Sequence, residues 1–304
     1  MNGKNSAILI LNYITWEKTV ECVESIMDSF SIEIPIVIVD NHSPNDSYAK
    51  MKEVFEKRAY QNIVLLQTES NGGFAKGNNF GLRYLKEKEI SYAIITNNDV
   101  IFTKESINQL FAPLEADDGI LLVNPKIMDA DGGVTTKPYD YKQTLKEWIT
   151  GRPDDKCAVL DENTVSKIYS FSGCCLAVNM QNFAGIGFFD EHTFLYCEEA
   201  IVSEKANRQG LDIVYNPKAV IVHNHGTTTG KNSLYTDKEF LKSLLYYLRV
   251  YENMKFSLVG IWAIMITKFT LKAILKKYHS MEGYFSCVAE TFSRCWQLTW
   301  KGTD

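Results

Sequence analysis

Four short apolar runs alternate with helical segments over the first hundred residues, and this alternation constrains the fold more than any other feature of the sequence. The runs are Ala7–Leu11, Ile36–Val39, Ile63–Leu66 and Tyr92–Ile95. Continuous apolar runs of this length are typical of strands that are buried on both faces. The repeated order of strand and helix predicts an α/β fold with a Rossmann-like, mostly parallel central sheet that is flanked by helices.

The pattern becomes less regular after Phe111. Residues 128–167 are rich in Asp, Gly, Lys and Thr, which predicts a long excursion from the sheet. Further along the chain, the predicted elements are a strand over Tyr169–Val178, a helix over Glu198–Gln209 that ends at Gly210, two short strands over Ile213–Tyr215 and Ala219–Val222, and helices from Tyr235 onward.

Polar side chains follow the first four predicted strands at the points where those strands end. Asn12 and Asp40 come directly after the first two runs, and Asn71 lies in the turn after the third. The segment Asn97-Asn98-Asp99 follows the fourth. Since ligands of open parallel sheets bind at the carboxyl ends of the strands, we expect these side chains to share one site.

Two residues of the sequence suit a divalent cation that is bound to phosphate groups. Such a cation takes one or two carboxylates from the protein and fills its other positions with phosphate oxygens and water. Asp99 could supply a carboxylate, or it could cap the helix that starts near Thr103. His223 follows the last predicted strand, where a histidine serves either as a metal ligand or as an ordinary surface residue.

A pair of adjacent carboxylates, Glu198 and Glu199, opens a predicted helix. Acidic residues in a first helical turn are favoured by the helix dipole, which accounts for the pair without any catalytic role. A carboxylate that is held at a cleft can also act as a general base. Both interpretations stay open at this point.

The charge balance and the cysteines exclude several classes of protein. The 304 residues carry a formal net charge of −5 and are 45% hydrophobic, which excludes a disordered chain and does not suit a partner of nucleic acids. The seven cysteines lack a C-x-x-C motif, and we expect a protein of the reducing cytoplasm. Ala7–Leu11 is too short for a signal peptide, and Phe256–Thr267 falls short of the roughly 20 apolar residues that span a membrane.

Taken together and in order, several segments resemble the inverting, metal-dependent glycosyltransferases of family 2, which have the GT-A fold, and above all their rhamnosyltransferase-like branch. The resemblance covers residues 6–230. It implies a GT-A domain over residues 1–230 and a helical C-terminal extension over residues 231–304. The segments that carry it are Asn12-Tyr13, Val39-Asp40-Asn41-His42-Ser43, Asn71-Gly72-Gly73-Phe74-Ala75-Lys76-Gly77-Asn78-Asn79, Asn97-Asn98-Asp99, Asn124-Pro125-Lys126, Ser172-Gly173, Gly187-Phe188-Phe189-Asp190-Glu191, Phe194-Leu195-Tyr196-Cys197-Glu198-Glu199 and His223.

The resemblance also implies roles for the residues of the site. Asp40 would hydrogen-bond the nucleotide base, and Asn12 and Tyr13 would line the same pocket. Asp99 and His223 would hold Mg²⁺ or Mn²⁺, which stabilises a leaving nucleoside diphosphate. The other residues that would contact the nucleotide sugar are Asn71, Gly73, Phe74, Lys76, Asn78, Asn97 and Asn98.

The catalytic helix is where the chain departs most from the family. By the resemblance, Glu199 would deprotonate the acceptor hydroxyl for one in-line displacement that inverts the anomeric carbon. The family usually has Asp at this position, and a base that is misplaced by about 1 Å can lose on the order of a hundredfold in rate. Glu198 is the alternative base. Ile201 and Val202 also stand where the family's motif has Asp and Leu.

A basic tail follows an acidic body. Residues 231–304 hold 11 Lys and Arg against 6 Asp and Glu, and four lysines cluster at one end of Phe256–Lys277. This stretch could be a helix that packs on the enzyme body or across a homodimer, with its lysines in solvent. The alternative is an interfacial helix on an anionic membrane, which would place the protein peripherally on the cytoplasmic face of that membrane.

The function that the resemblance implies is sugar transfer, with rhamnose as the first choice, from a UDP- or dTDP-sugar to a growing surface polysaccharide whose acceptor is lipid-linked. A non-catalytic subunit that binds nucleotide sugars or assists assembly is the alternative, motivated by the altered segment Glu199–Ile201. A nucleotidyltransferase that makes the activated sugar is a third hypothesis. It would need a basic glycine-rich signature, which the N-terminal sequence does not show.

Overall fold

The computed structural model describes residues 5–29, 34–136, 138–151, 161, 163–223, 233–275 and 283–301. Its strands are β1 (Ser6–Asn12), β2 (Ile36–Asp40), β3 (Ile63–Gln67), β4 (Tyr92–Asn97), β5 (Val100–Phe102), β6 (Ile120–Met128), β7 (Val134–Thr136), β8 (Ser166–Lys167), β9 (Cys175–Asn179) and β10 (Asp212–His223). Its helices are α1 (Trp16–Ser29), α2 (Ser47–Lys57), α3 (Gly73–Glu87), α4 (Ser106–Ala116), α5 (Leu145–Thr150), α6 (Met180–Gly185), α7 (Glu198–Gln209), α8 (Leu234–Val250), α9 (Leu258–Ile274) and α10 (Tyr284–Trp296), and a π-helical turn over Gln297–Lys301 follows α10.

The ten strands form one sheet with the order β3-β2-β1-β4-β9-β6-β10-β5, in which β7 pairs with β6 and β8 with β10. Strands β1 to β4 run parallel, as their alternation with helices predicts. Strand β9 is antiparallel to β4 and β6, while β10 is parallel to β6. The register places Asn12 beside Asp40 and Leu11 beside Asn97, so the polar strand ends meet at one edge of the sheet.

Helices cover both faces of the sheet because successive side chains of a strand point to opposite faces. Ile8 and Ile10 of β1 lie on the face that packs against α1, α2 and α4. Leu9 lies on the opposite face, which packs against α3, α6 and α7. All three side chains are fully buried, and such burial contributes about 1.5–3 kcal/mol per side chain. The predicted α/β architecture is confirmed.

The helices α8, α9 and α10 build a third apolar core beside the sheet. Buried side chains of all three belong to it, together with Cys197 and Ile201 at the start of α7. Ser243 of α8 donates its hydroxyl hydrogen to the backbone oxygen of Leu195 at 2.7 Å, so the C-terminal helices pack against the N-terminal end of α7. The boundary predicted between residues 230 and 231 lies outside the described residues and stays a prediction. Within the described part of the chain, no helix combines the length and the hydropathy of a membrane span.

Two strand predictions are wrong in detail. The strand predicted over Tyr169–Val178 begins only with β9, because the preceding chain turns at Gly173 toward α7. The two strands predicted over Ile213–Tyr215 and Ala219–Val222 are one strand, β10, whose pairing with β6 shifts register after Asn216. A bulge of this kind bends a strand without ending it.

Candidate active site

Asp40, at the carboxyl end of β2, is the centre of a buried hydrogen-bond network. Its Oδ1 accepts from Asn12 Nδ2 at 2.7 Å and from Ser43 Oγ at 2.6 Å. Its Oδ2 accepts from Ser43 N at 3.0 Å and from Gln67 Nε2 at 2.9 Å. Four donors therefore occupy the carboxylate, which has about four acceptor positions. Gln67 is the exposed donor of the four, so a nucleotide base would reach Asp40 most easily by replacing it.

Asn98 ties the turn after β4 to the start of α1. Its Nδ2 lies 3.1 Å from Asn12 Oδ1, 2.9 Å from Thr15 Oγ1 and 3.0 Å from Thr19 Oγ1. Thr19 in turn donates to Asn12 Oδ1 at 2.8 Å. Asn12 and Asn98 thus join the ends of β1 and β4, and a direct contact between Asn98 and a nucleotide stays a prediction.

The glycine-containing turn before α3 is fixed by two asparagines. Asn71 Oδ1 accepts from Gly73 N and from Asn41 Nδ2, both at 3.0 Å. Gly73 has a φ of +83°, and a Cβ there would lie 2.1 Å from the backbone oxygen of Phe194, so only glycine fits. Phe74 N donates to that oxygen at 2.9 Å. The turn therefore lies directly against the segment that leads into α7.

The other predicted contacts to the nucleotide sugar differ in exposure. Asn78 is buried and donates through Nδ2 to Phe74 O at 3.0 Å, while its Oδ1 has no hydrogen-bond partner among the described residues. A buried acceptor without a partner is costly, and a ligand hydroxyl would satisfy it. Lys76 is exposed on the first turn of α3, and Tyr13 and Asn97 are half-buried at the ends of β1 and β4.

Asp99 and His223 meet where the turn after β4 faces the end of β10. Asp99 Oδ1 and His223 Nε2 are 3.1 Å apart, although 124 positions separate the residues in sequence. Both side chains are largely buried. Burial lowers the pKa of His223, but its hydrogen bonds to Asp99 and Cys174 outweigh that effect and raise the pKa to about 10.

The Asp99–His223 pair fits a cation that also binds a diphosphate. Within the described ranges, no group of three or more His, Cys, Asp or Glu side chains is placed to hold a metal ion. A cation held by two protein ligands takes its remaining ligands from phosphate oxygens and water, as Mg²⁺ does in many nucleotide sites. The donor set is therefore compatible with the predicted Mg²⁺ or Mn²⁺.

The chain is tightly bent just before the carboxylate pair of α7. Tyr196 and Cys197 have positive φ values of +74° and +67°, and such values cost a residue with a side chain about 1–3 kcal/mol. Surrounding contacts must hold this conformation, and Cys197 is buried in the core that α8 to α10 complete. Glu198 and Glu199 follow directly as the first residues of α7.

Both carboxylates have raised pKa values. Burial, and then the charge of Glu199, raise the pKa of Glu198 to about 8. Burial also raises the pKa of Glu199, whose side chain is more open to solvent. Because adjacent carboxylates titrate together, the pair keeps a proton at pH values where an exposed glutamate has lost it.

The turn before β9 joins this pair to the Asp99–His223 pair. Gly173 N donates to Glu199 Oε1 at 3.1 Å, and the next residue, Cys174, is hydrogen-bonded to His223. Adjacent Cα atoms are about 3.8 Å apart, so Glu199 and His223 contact neighbouring points of one turn. Asn97 N donates to Cys174 O at 2.8 Å, which fixes the turn to the end of β4.

Several residues of this arrangement carry no role predicted from the sequence, among them Ser43, Gln67, Gly173 and Cys174. Ser43 and Gly173 belong to segments that resemble the family, and that resemblance was the available signal. Gln67 and Cys174 had no such signal, because one polar strand end and one buried thiol resemble many others in the chain.

The parallel strands β1 to β4 with their polar ends, and the mixed strands that follow, give the chain the GT-A fold of glycosyltransferases. Residues 7–179, more than half of the chain, match the protein family described as glycosyl transferase family 2. The chain belongs to glycosyltransferase family 2, and the resemblance found in its sequence is confirmed.

Two curated relatives are similar to the chain. The chain is 24% identical over 219 residues to the low-salt glycan biosynthesis hexosyltransferase Agl10 of Haloferax volcanii, a match that covers 72% of this chain and 66% of the relative. It is 24% identical over 195 residues to the N-acetylglucosaminyl-diphospho-decaprenol L-rhamnosyltransferase of Mycobacterium tuberculosis, with coverage of 57% and 62%. The chain thus spans less than two thirds of the length of either relative.

Solved structures with low sequence identity share the fold. GalNAc-T7 with UDP, GalNAc and Mn²⁺ aligns with a TM-score of 0.63 at 16% identity, over 82% of this chain and 49% of that one. The mannosyltransferase PcManGT of Pyrobaculum calidifontis with GDP-Man and Mn²⁺ aligns with a TM-score of 0.57 at 13% identity, over 98% and 87%. At such identity the likeness concerns the fold alone.

Proposed function

We propose that the protein is an inverting glycosyltransferase that moves a sugar from a UDP- or dTDP-sugar to a glycan acceptor. The observation that carries this proposal is the turn through Gly173 and Cys174, which contacts Glu199 on one side and His223 on the other. An inverting displacement needs a base on the acceptor side of the anomeric carbon and a stabilised leaving group on the other side. The two pairs of side chains suit these two positions.

Asp99 and His223 would hold Mg²⁺ or Mn²⁺ at the diphosphate. When bound, the cation stabilises the negative charge of the leaving nucleoside diphosphate. The structures of GalNAc-T7 and of the Pyrobaculum mannosyltransferase contain Mn²⁺, which supports the same use here. The buried Oδ1 of Asn78 would accept from a donor hydroxyl, since among the described residues it has no other partner.

Glu199 would take the proton of the acceptor hydroxyl. Burial raises its pKa, which brings it closer to neutral pH, where a general base is most effective. Gly173 N–H holds one carboxylate oxygen, and that hydrogen bond fixes the direction in which the carboxylate faces. Glu198 is more deeply buried and is the alternative base.

The proposed sugar is a hexose or deoxyhexose, with rhamnose as the first choice, and the proposed acceptor is a lipid-linked glycan of a surface polysaccharide. Both proposals rest on the relatives, of which one is named as a hexosyltransferase of glycan biosynthesis and the other as a rhamnosyltransferase acting on N-acetylglucosaminyl-diphospho-decaprenol. A non-catalytic subunit that binds nucleotide sugars is the second candidate function. Glu199, in place of the aspartate usual in the family, is the observation that favours it.

A thermal-shift panel tests the donor site. UDP-, dTDP- and GDP-sugars are added with and without Mn²⁺ to wild type, Asp99→Ala and the control Asp131→Ala, which changes an exposed turn residue. We expect a metal-dependent rise in Tm with one nucleotide class, lost in Asp99→Ala and kept in Asp131→Ala. The absence of any shift in folded wild type would overturn the proposed donor site. A shift without turnover on any acceptor would favour the non-catalytic subunit.

The C-terminal helices present an unusual apolar surface, and we propose that it contacts the cytoplasmic face of a membrane. Phe256 is 74% exposed before the start of α9, where its ring centroid lies 6.4 Å from that of the exposed Trp300. At the other end of α9, Ile274 is 69% exposed, and Phe285 at the start of α10 is 86% exposed. Exposed apolar patches mark membrane or protein contacts, and tryptophans favour the membrane interface. A homodimer interface is the alternative occupant of this surface.

Lys268 and Lys272, the described lysines at this end of the region, do not lie on a solvated face. Lys268 donates to the backbone oxygen of Ile149 at 2.8 Å, and Lys272 pairs with Asp237 at 2.6 Å. Lys276 and Lys277 lie outside the described residues. The proposed membrane contact therefore depends mainly on the insertion of apolar side chains. Attraction between these two lysines and anionic lipid contributes less.

A further inference from the structure

A cavity of about 240 Å³ opens beside the carboxylate of Glu199, on α7. At roughly 30 Å³ per water molecule, this volume corresponds to about eight waters, which is the size of one sugar ring. The described residues that line it are Lys142, Gln143, Trp148, Tyr169, Ser170, Phe171, Ser172, Glu199, Ala200 and Tyr247. The cavity therefore adjoins the proposed base and belongs to neither the Asp40 network nor the Asp99–His223 pair.

Aromatic rings form one wall of the cavity. Trp148 and Tyr247 have ring centroids 5.8 Å apart, and Phe171 is a further aromatic residue of the lining. The indole Nε1 of Trp148 is buried and has no hydrogen-bond partner among the described residues. A pyranose matches such a wall, because it offers C–H groups to the aromatic rings.

The charges around the cavity exclude an anionic ligand. Lys142 is the single cation among the described lining residues, and its Nζ lies 2.7 Å from Glu204 Oε1 and 2.5 Å from Glu252 Oε1. These two carboxylates already neutralise the lysine, and the hydroxyls of Tyr169 and Tyr247 also donate to them. With Glu199 on the same cavity, a phosphate would meet more negative than positive charge, which opposes its binding.

We infer that this cavity binds one uncharged sugar residue of the acceptor, with the reacting hydroxyl against Glu199, and that any diphosphate of the acceptor stays outside it. The inference rests on the proposed function. In the reaction, the acceptor oxygen bonds to the anomeric carbon as the bond from that carbon to the nucleoside diphosphate oxygen breaks. The hydroxyl proton passes to Glu199, and the bonding electron pair leaves with the diphosphate.

Saturation-transfer NMR tests the inference without relying on turnover. The probes are the methyl glycosides of rhamnose, mannose and N-acetylglucosamine, in the presence of dTDP and Mg²⁺. The variants are Trp148→Leu, which removes the indole, and Ser170→Phe, which fills the cavity without removing a side-chain hydrogen bond. Phe80→Leu is the matched control, because Phe80 is an exposed aromatic residue of α3 outside the cavity.

We expect at least one glycoside to bind wild type and Phe80→Leu equally, and to bind Trp148→Leu and Ser170→Phe at least about tenfold more weakly. Inorganic diphosphate should not compete with it. The inference is overturned if no glycoside binds wild type, if binding survives in folded Ser170→Phe, or if diphosphate displaces the glycoside. The thermal-shift panel on the same samples separates the acceptor cavity from the proposed function. If nucleotide sugars bind and no glycoside does, only the acceptor cavity is overturned. If a glycoside binds and no nucleotide sugar does, only the proposed sugar transfer is overturned.

Discussion

The backbone N–H of Gly173 donates to Glu199 Oε1 at 3.1 Å, and a Cβ added at Gly173 would lie 2.6 Å from that same oxygen. The turn thus holds the carboxylate and leaves no space for a side chain at its contact point. The reaction rate is sensitive to the position of a catalytic base, because a shift of about 1 Å can lower the rate on the order of a hundredfold.

Gly173→Ala should therefore lower kcat by about tenfold to a hundredfold with little change in the KM of the donor. Steady-state kinetics on a transferable acceptor measure both constants. Gly185→Ala is the matched control, because its nearest neighbour, Gln209 Oε1, is 3.9 Å from the added Cβ, and it should behave as wild type. An unchanged kcat in Gly173→Ala would contradict the role of Glu199 as a positioned base.

The two carboxylates of α7 can be distinguished by their pH profiles. Glu199→Gln should reduce kcat by about a hundredfold to ten-thousandfold, the usual contribution of a general base. Glu198→Gln should remain active, with the acid limb of kcat/KM in its wild-type position. The charge of Glu199 raises the pKa of Glu198, so Glu198 is still protonated and neutral where Glu199 ionises, and a neutral glutamine in its place leaves the pKa of Glu199 unchanged. If kcat instead falls strongly in Glu198→Gln and little in Glu199→Gln, Glu198 is the base.

Glu198 also makes the stability of the folded protein depend on pH. The pKa of Glu198 is raised from an ordinary value of 4.5 to about 8 in the folded protein, so the folded state binds more protons than the unfolded state between these values. Stability is lost as pH rises through this window. Glu198→Gln removes the loss, so its Tm should exceed that of wild type by several degrees at pH 8 and equal it near pH 4.5. Thermal melts at the two pH values measure the difference, and equal Tm values at both would contradict the burial of a titrating Glu198.

Asp40 should be essential for stability, whatever it binds. Asp40→Ala would leave donors of Asn12 and Ser43 buried without their acceptor, and each such group costs about 1–3 kcal/mol. We expect the free energy of unfolding in urea to fall by about 3 kcal/mol or more. Asp46→Ala is the control, because Asp46 is exposed and makes no side-chain bond to the helix that it precedes. A loss similar to that of the control would show that the network around Asp40 is weak.

The first half of the fold follows from local sequence, whereas part of the second half does not. The runs that become β1, β2 and β4 are apolar throughout because both faces of these strands are buried, whereas β3, at the edge of the sheet, is only partly buried. Helix α5 lies in a stretch predicted as an irregular excursion, yet Thr144 and Glu147 form a capping box there. The sequence Thr-x-x-Glu is a signal for the start of a helix. The surrounding Asp, Gly and Lys residues are more typical of an irregular segment and hide this signal.

The site illustrates a different limit of the sequence. Asn12 and Asp40 could be placed together because both end neighbouring parallel strands. Asp99 and His223 could be paired only by resemblance, since no local rule joins residues 124 positions apart. The sequence also does not show which face of α9 is covered, because α9 packs against both α8 and α10 and leaves the apolar Val259 exposed.

The apolar surface of the C-terminal helices should insert into lipid. Full transfer of a phenylalanine side chain from water contributes about 1.5–3 kcal/mol, so Phe256→Ser combined with Phe285→Ser should weaken vesicle binding at least tenfold. Co-sedimentation with phosphatidylglycerol–phosphatidylcholine vesicles measures this, with Phe80→Ser as the control for an exposed phenylalanine elsewhere. Because Lys268 and Lys272 face the protein, raising the salt concentration should weaken binding less than the double substitution does. A different result would assign the surface to a second copy of the chain. In that case wild type does not bind vesicles and sediments as a dimer, whereas the double variant sediments as a monomer.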